Sequence, residues 1–558
     1  MSAGKSHVAD GLHLRPRPPE TVMRLARMGS AHPTRLSFLR VLLRRMEREG
    51  WRFDRPIWEI NDCGVGRAIY RAIGPERIYS LVAFAHDLPE EMRSDRVIAT
   101  AWDATFALFD GTPTKADLDR LEANVPLQEA GRIRPSELSL SRANRSVRLW
   151  EHLVDKLSMG CQPDPEEIAA VGYLMRTTAV YGSGKFGAAD RRDIAARPEL
   201  AAPFQIEMLS VWLTRQFSVD MVEHLASVKG GAGAVRLAPE IKRGLGVGNA
   251  TGLGMAPFLV RHPMLLNNWT SAREEALARV RRIDGATREA AACLRAAHAE
   301  ACRNAANWRS EHPIQIAKLA DLRADLAKIA TRLEGFPGDD PRPWDALWVW
   351  GEETLSLEGQ EQLFALLIEP HGNLVDELAA CMSADEAVAF HLDGAMRLRR
   401  LREILGERYA WALAVDFTRP ENTARFWYVS EEKLEPRLGE RATETGAERE
   451  QPLCIARLAS ELDAALAERD GTETVAAFLL RHPEHRYMVR RVQIAAGHPY
   501  AEVHDNLIAA DMLPIDLMRC KLAFFGASHF DPRSDKWVRI SLFQGAPYPL
   551  EMDGRTQA

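Results

Sequence analysis

Apolar residues recur at intervals of three and four along most of this chain, the spacing of one helix face. Leu36, Leu39, Leu43 and Met46 set the pattern, with Arg35, Arg44 and Arg48 between them. The same period predicts helices at about 138–158, 205–228, 271–306, 314–333, 357–381, 384–405 and 455–482. Ser271-Ala-Arg-Glu274 has the form of a capping box, and Gly285 is a candidate break in the helix that follows. Strand signals are sparse and paired. Tyr79–Phe84 with Val97–Leu108, Tyr409–Val415 with Arg425–Val429, and Leu522–Phe525 with Trp537–Phe543 read as three antiparallel hairpins. The expected fold is mainly α: a multi-helix body with small antiparallel β-hairpin additions. Gly74-Pro-Glu-Arg77 echoes Gly406-Glu-Arg408, and Phe258–Pro263 echoes Phe478–Pro483. These echoes leave open an α+β chain with a weak internal duplication.

Breakers suggest the organisation. Gly335–Pro343 is dense in glycine and proline and is the expected boundary. It would separate a mainly helical domain at 21–334, carrying a β-hairpin and glycine-rich loops, from an α+β domain at 344–558. Residues 1–20 are polar and proline-rich and read as a mobile segment. Residues 439–452 are polar without periodicity and read as an exposed excursion.

Composition narrows the class. A chain of 558 residues with 46% hydrophobic residues can bury large cores. A net charge of −6 argues against nucleic acid as partner. Seven cysteines without a CxxC pair fit a reducing compartment. The first residues lack an apolar signal core, and no run nears the roughly 18 apolar residues of a membrane span. The expectation is a cytoplasmic protein without a membrane partner. Arginine outnumbers lysine by 61 to 11. A GC-rich genome accounts for such an excess, so only clusters of arginine carry meaning.

Several stretches could hold an anion. Lys242-Arg243-Gly244-Leu-Gly246-Val-Gly248 begins a run with five glycines between 244 and 254, and Arg261 follows. Glycines let backbone amides approach an anion, and the basic residues would add charge. The run lacks GxGxxG and a convincing preceding strand, so a dinucleotide fold is disfavoured. A flexible connector is the plainer reading. Gly182-Ser-Gly184-Lys185-Phe-Gly187 offers a lysine between glycines but fails the Walker pattern, and a surface turn explains it equally well. On a helix, Arg142, Arg145 and Arg148 would share one side; a solvated face is the bland alternative. His32-Pro33 with Arg35 opens another candidate helix start, although His-Pro pairs recur as helix punctuation. His482, His485, His498, His504 and His529 crowd the last quarter, without HExxH or any diagnostic metal spacing.

The functional expectation is a metabolic enzyme with a small anionic substrate bearing carboxylate or phosphate. Candidate catalytic residues are His32, Lys185, His482 and His504. Candidate binding residues are Arg35, Arg142, Arg145, Lys242, Arg243, Gly246, Gly248 and Arg261. Nothing identifies a cofactor or a metal, and homo-oligomerisation is left open. The alternative is a non-catalytic helical protein that binds a partner or metabolite.

Overall fold

The computed structural model describes residues 15–89, 91, 101–127, 131–177, 194, 196–251, 262–310, 313–382, 390–419, 428–429, 434–435, 455–505, 514–527, 529–531 and 538–552. The chain divides into two compact units. One, the sheet unit, comprises Ser37–Thr251, Phe525–Asp531 and Arg539–Ala558. The other, the helical unit, comprises Met1–Leu36, Gly252–Phe524 and Pro532–Val538. The breaker segment 335–343 lies inside the helical unit.

Among the described residues of the sheet unit, nine strands form one sheet. They are β1 (Arg52–Ile60), β2 (Gly66–Ile73), β3 (Ile78–Ala85), β4 (Ala104–Asp110), β5 (Glu137–Arg145), β6 (Tyr173–Thr177), β7 (Gly246–Thr251), β8 (His529–Asp531) and β9 (Val538–Leu542). Their order is β1-β2-β3-β4-β5-β6-β7-β9-β8. Neighbours from β1 to β6 are antiparallel, and β6 and β7 are parallel. This sheet overturns the expectation of a mainly α body with small hairpins: the protein is α+β.

The reason the strands escape the sequence pattern is packing on both faces. The described helices of this unit include α1 (Phe38–Arg48), α2 (Lys115–Asn124), α3 (Trp150–Ser158) and α4 (Gln205–Gly230). On one face, Leu118, Leu121 and Val125 of α2 meet Ile69, Val82, Phe84, Ala107, Phe109 and Leu140. On the other, α4 sets Phe217 against Phe106 and Tyr70, and Trp212 against Phe53. A strand covered twice has no polar side, so β3 is buried from Tyr79 to Ala85 and shows no alternation.

Other segments change type as well. The stretch expected as a helix at 138–158 is β5 followed by α3. Tyr409–Val415, expected as a strand, contains the helical turn Ala410–Leu413, and Leu522–Phe525 ends the helix Pro514–Phe525. Gly74–Arg77 turns between β2 and β3, whereas Gly406–Arg408 ends a helix, so that echo has no common local structure.

The helical unit follows its periodicity more closely. Its long helices include α5 (Pro263–Arg281), α6 (Arg288–Asn307), α7 (Pro313–Glu334), α8 (Pro343–Thr354) and α9 (Leu357–Leu367). Gly285 separates α5 from α6 with a φ of 68°. Ser271 lies within α5, which starts at Pro263, so the capping-box reading fails. No described helix is long and apolar enough to cross a membrane.

Arg17 ties this unit together. Its guanidinium donates Nε to Glu274 Oε2 at 2.7 Å, Nη2 to Glu274 Oε1 at 2.8 Å and Nη1 to Glu361 Oε1 at 2.8 Å. Arg273 and Arg27 also reach Glu361. The Arg17, Arg273, Glu274 and Glu361 side chains are buried. A buried carboxylate is tolerable only when its lone pairs are met, and removing a partner is strongly destabilising. Arg17→Ala strands Glu274 and should lower the unfolding free energy by about 3–5 kcal/mol. Urea unfolding followed by circular dichroism measures this; a loss below about 1 kcal/mol would show that Glu274 finds other partners.

Candidate functional site

The structure distributes the residues singled out above between the two units. Arg142, Arg145, Lys242, Arg243, Gly246 and Gly248 belong to the sheet unit, and His32, Arg35, His482 and His504 to the helical unit. Lys185 and Arg261 lie outside the described residues.

Arg142 and Arg145 stand on strand β5, not on a helix, and their odd separation directs them to opposite faces of the sheet. The Arg142 guanidinium lies 3.8 Å from the centre of the Trp102 ring, and burial brings its pKa down to about 10. Arg145 stacks on Trp150 at 4.8 Å, and its amide donates to the buried Asp103 carboxylate at 2.9 Å. Beside them His86 Nε2 sits 2.8 Å from Thr105 Oγ1, and burial lowers the histidine pKa.

The first half of the glycine run is strand β7 rather than a loop. A Cβ at Gly246 would overlap the Leu542 carbonyl oxygen and Ser541 Oγ. At Gly248 a Cβ would lie 2.5 Å from Tyr173 Cγ. Close packing within the sheet therefore accounts for both glycines. Lys242 holds its ammonium over the Tyr548 ring at 4.5 Å, and Glu551 lies 4.0 Å from Lys242 and 3.9 Å from Arg243.

In the helical unit, Arg35 clamps Asp376 through Nε at 2.7 Å and Nη2 at 2.9 Å. Burial and the Arg35 charge bring the neighbouring His371 down to about 4. His32 is buried. His482 faces Arg469 Nη2 through Nε2 at 2.9 Å and stacks on Phe478. His504 stacks on Trp411, with its pKa lowered by burial and by Arg24. Among the described residues no group of three or more His, Cys, Asp or Glu side chains is placed to hold a metal.

One arrangement in the sheet unit has the character of a site. Ser139 and Ser141 of β5 face α4, and Thr177 of β6 shares that face because it opposes Ala143. All three are buried, as are Ser210 and Thr214 of α4. Ser139 Oγ and Ser210 Oγ lie 2.5 Å apart, and Thr214 Oγ1 donates to the Ser210 carbonyl at 2.9 Å. This part of the seam between helix and sheet is thus lined with hydroxyls.

Glu207 stands one turn before Ser210 on this helix. It is partly exposed. Desolvation raises its pKa to about 7, against a small opposing effect from its own backbone N–H. Helix direction locates Glu207 relative to the sheet. Ser210 meets Ser139 near the start of β5, while Gly64 brings Met221 and Leu225 of α4 beside Arg145 at its end. Hence α4 runs in the same sense as β5. Because β6 opposes β5 and β7 parallels β6, the start of α4 points toward the carboxyl ends of β6 and β7.

Sequence reasoning passed over Glu207. A signal existed: it is the lone charged residue from Ala201 to Thr214, inside an apolar run ending in Trp212-Leu213. Comparison of the chain with family models, with curated proteins and with solved structures finds no match.

Two outcomes test this geometry. A carboxyl whose folded pKa is raised from 4.5 to about 7 costs stability as pH climbs between those values, because the unfolded chain releases its proton first. Glu207→Gln should therefore stabilise the protein by up to about 3 kcal/mol at pH 8 and by almost nothing at pH 4.5. Urea titrations at the two pH values decide; a pH-independent difference would refute the raised pKa. Separately, Gly246→Ala should cost about 1–3 kcal/mol through overpacking against β9. An unchanged urea midpoint would mean the strands can part without penalty.

Proposed function

We propose that this protein is an enzyme of small-molecule metabolism that acts on an anionic substrate, with Glu207 as its general acid or base. The observation that carries the reading is one partly exposed carboxyl on a long helix, its pKa raised to about 7 by desolvation, near a line of buried hydroxyls. Proton transfer is most effective when the catalytic pKa lies near the working pH. A carboxyl whose pKa desolvation perturbs is a functional-site candidate. Ser139, Ser210 and Thr177 would supply hydrogen bonds that orient the substrate. The anionic class is supported by sequence alone, by Lys185 between glycines and Arg261 after the glycine run, both outside the described residues. Carboxylate or phosphate suits both cations.

The test begins with a thermal-shift screen of the full chain against small carboxylates and phosphate esters. Compounds that bind are then incubated with the protein and followed by mass spectrometry for turnover. The expected result is turnover whose rate depends on a group with apparent pKa near 7, as the Glu207 shift implies. Glu207→Gln should retain ligand binding while losing turnover by about 100-fold or more. Equal turnover in the variant sinks the assignment of Glu207. Binding without turnover of any compound favours a non-catalytic metabolite-binding protein.

A further inference from the structure

A second constellation, in the helical unit, is independent of Glu207. Arg273 of α5 is 1% exposed, yet one hydrogen bond serves its guanidinium: Nη2 to Glu361 Oε2 at 3.2 Å. Its Nε–H meets no acceptor. The planar group lies 4.6 Å from the Phe364 ring and 5.1 Å from the Phe524 ring. One turn earlier on the same face of α5, Thr270 is fully buried and its hydroxyl also has no partner. Nearby, the Trp348 indole N–H is buried and unpaired, in a ring 5.1 Å from the Arg17 guanidinium.

The carboxylates here do not relieve this shortage. Glu274 is taken by Arg17, and Glu361 is shared among Arg17, Arg27 and Arg273. What remains is a set of donors without acceptors. Each such group, left unmet, carries the full penalty of its desolvation. Water would meet it poorly, since its own hydrogens would then need acceptors. A monoanion accepts from every side and donates nothing. A halide is also small enough to sit among packed helices.

We infer that Arg273 and Thr270 of α5 hold a small inorganic monoanion of halide size between α5 and the Phe364 and Phe524 rings. The ion completes the Arg17–Glu274–Glu361–Arg273 network and stabilises the helical unit when bound. Burial depresses the Arg273 pKa against the pull of Glu361 and Glu274, and an added anion opposes that depression.

The experiment uses the full chain exchanged into sodium gluconate, an anion too large for the site. Chloride or bromide is titrated in at constant ionic strength while the melting temperature is followed. The expected result is a saturable rise with either halide. Thr270→Val, which keeps the helix and most of the side-chain volume, should raise the half-saturating concentration about tenfold. Bromide-soaked crystals should show an anomalous peak within hydrogen-bonding distance of Arg273 Nε. Arg273→Met tests the cation directly, and Thr270→Val covers the case in which that variant does not fold. No halide-specific rise, an unchanged half-saturation in Thr270→Val, or no bromide peak beside Arg273 would each overturn the proposal.

Discussion

A guanidinium taken out of water must find acceptors for its fixed fork of donors, and this protein is built around meeting that demand. Arg17 joins Glu274 on α5 to Glu361 on α9 and so fastens the helical unit. Arg491 pairs with Glu502, which also accepts from Tyr409. Arg519 pairs with Glu358. In the sheet unit Arg215 is fully buried on α4 and uses carbonyls instead, donating to Leu245 at 2.7 Å and Ala546 at 2.8 Å while it lies over Tyr548. That one side chain binds the start of β7 and the segment after β9 to the same helix. The excess of arginine over lysine, which looks like compositional bias in the sequence, is used as a set of cross-links between segments far apart in the chain.

The sheet unit places its chemistry by contrast. Along most of α4 the contact with the sheet is aromatic and aliphatic, and such packing fixes the helix firmly. Near the start of the helix the contact changes to serine and threonine hydroxyls, and there Glu207 is partly exposed, its pKa raised to about 7 by desolvation. A carboxyl in water would have no reason to titrate near neutrality. A carboxyl sealed in the core would be costly and unreachable. Partial burial desolvates Glu207 without sealing it off from solvent.

The helical unit was largely legible because helices there bury one face and expose the other. Pro313–Glu334 and Ile455–Ala467 both follow the expected 3.6-residue period. The sheet was largely hidden. Tyr79–Ala85 is covered by α2 and α4, so polar alternation never appears. In β5 the spacing of Arg142 and Arg145 imitates a helix face, and only pairing with β4 and β6 shows that they diverge. The glycines of β7 look like a flexible cradle, whereas contact with Tyr173, Leu542 and Ser541 demands their lack of a side chain. Glu207 left one faint trace, a single charge in an apolar run.

By itself the sequence determined where helices with one solvated face would form, and it offered Gly285 as a candidate break. Those properties are local: periodicity, breakers and charge act within a turn or two of the residue that carries them. Tertiary structure alone decided the nine-strand order, the face each arginine occupies, the partner of each buried charge and the pKa of Glu207. Each depends on residues hundreds of positions apart being brought into contact, as Arg17 is with Glu361 and Arg215 with Ala546. Desolvation and pairing are properties of that assembled surrounding, and no stretch of the chain contains them before it folds.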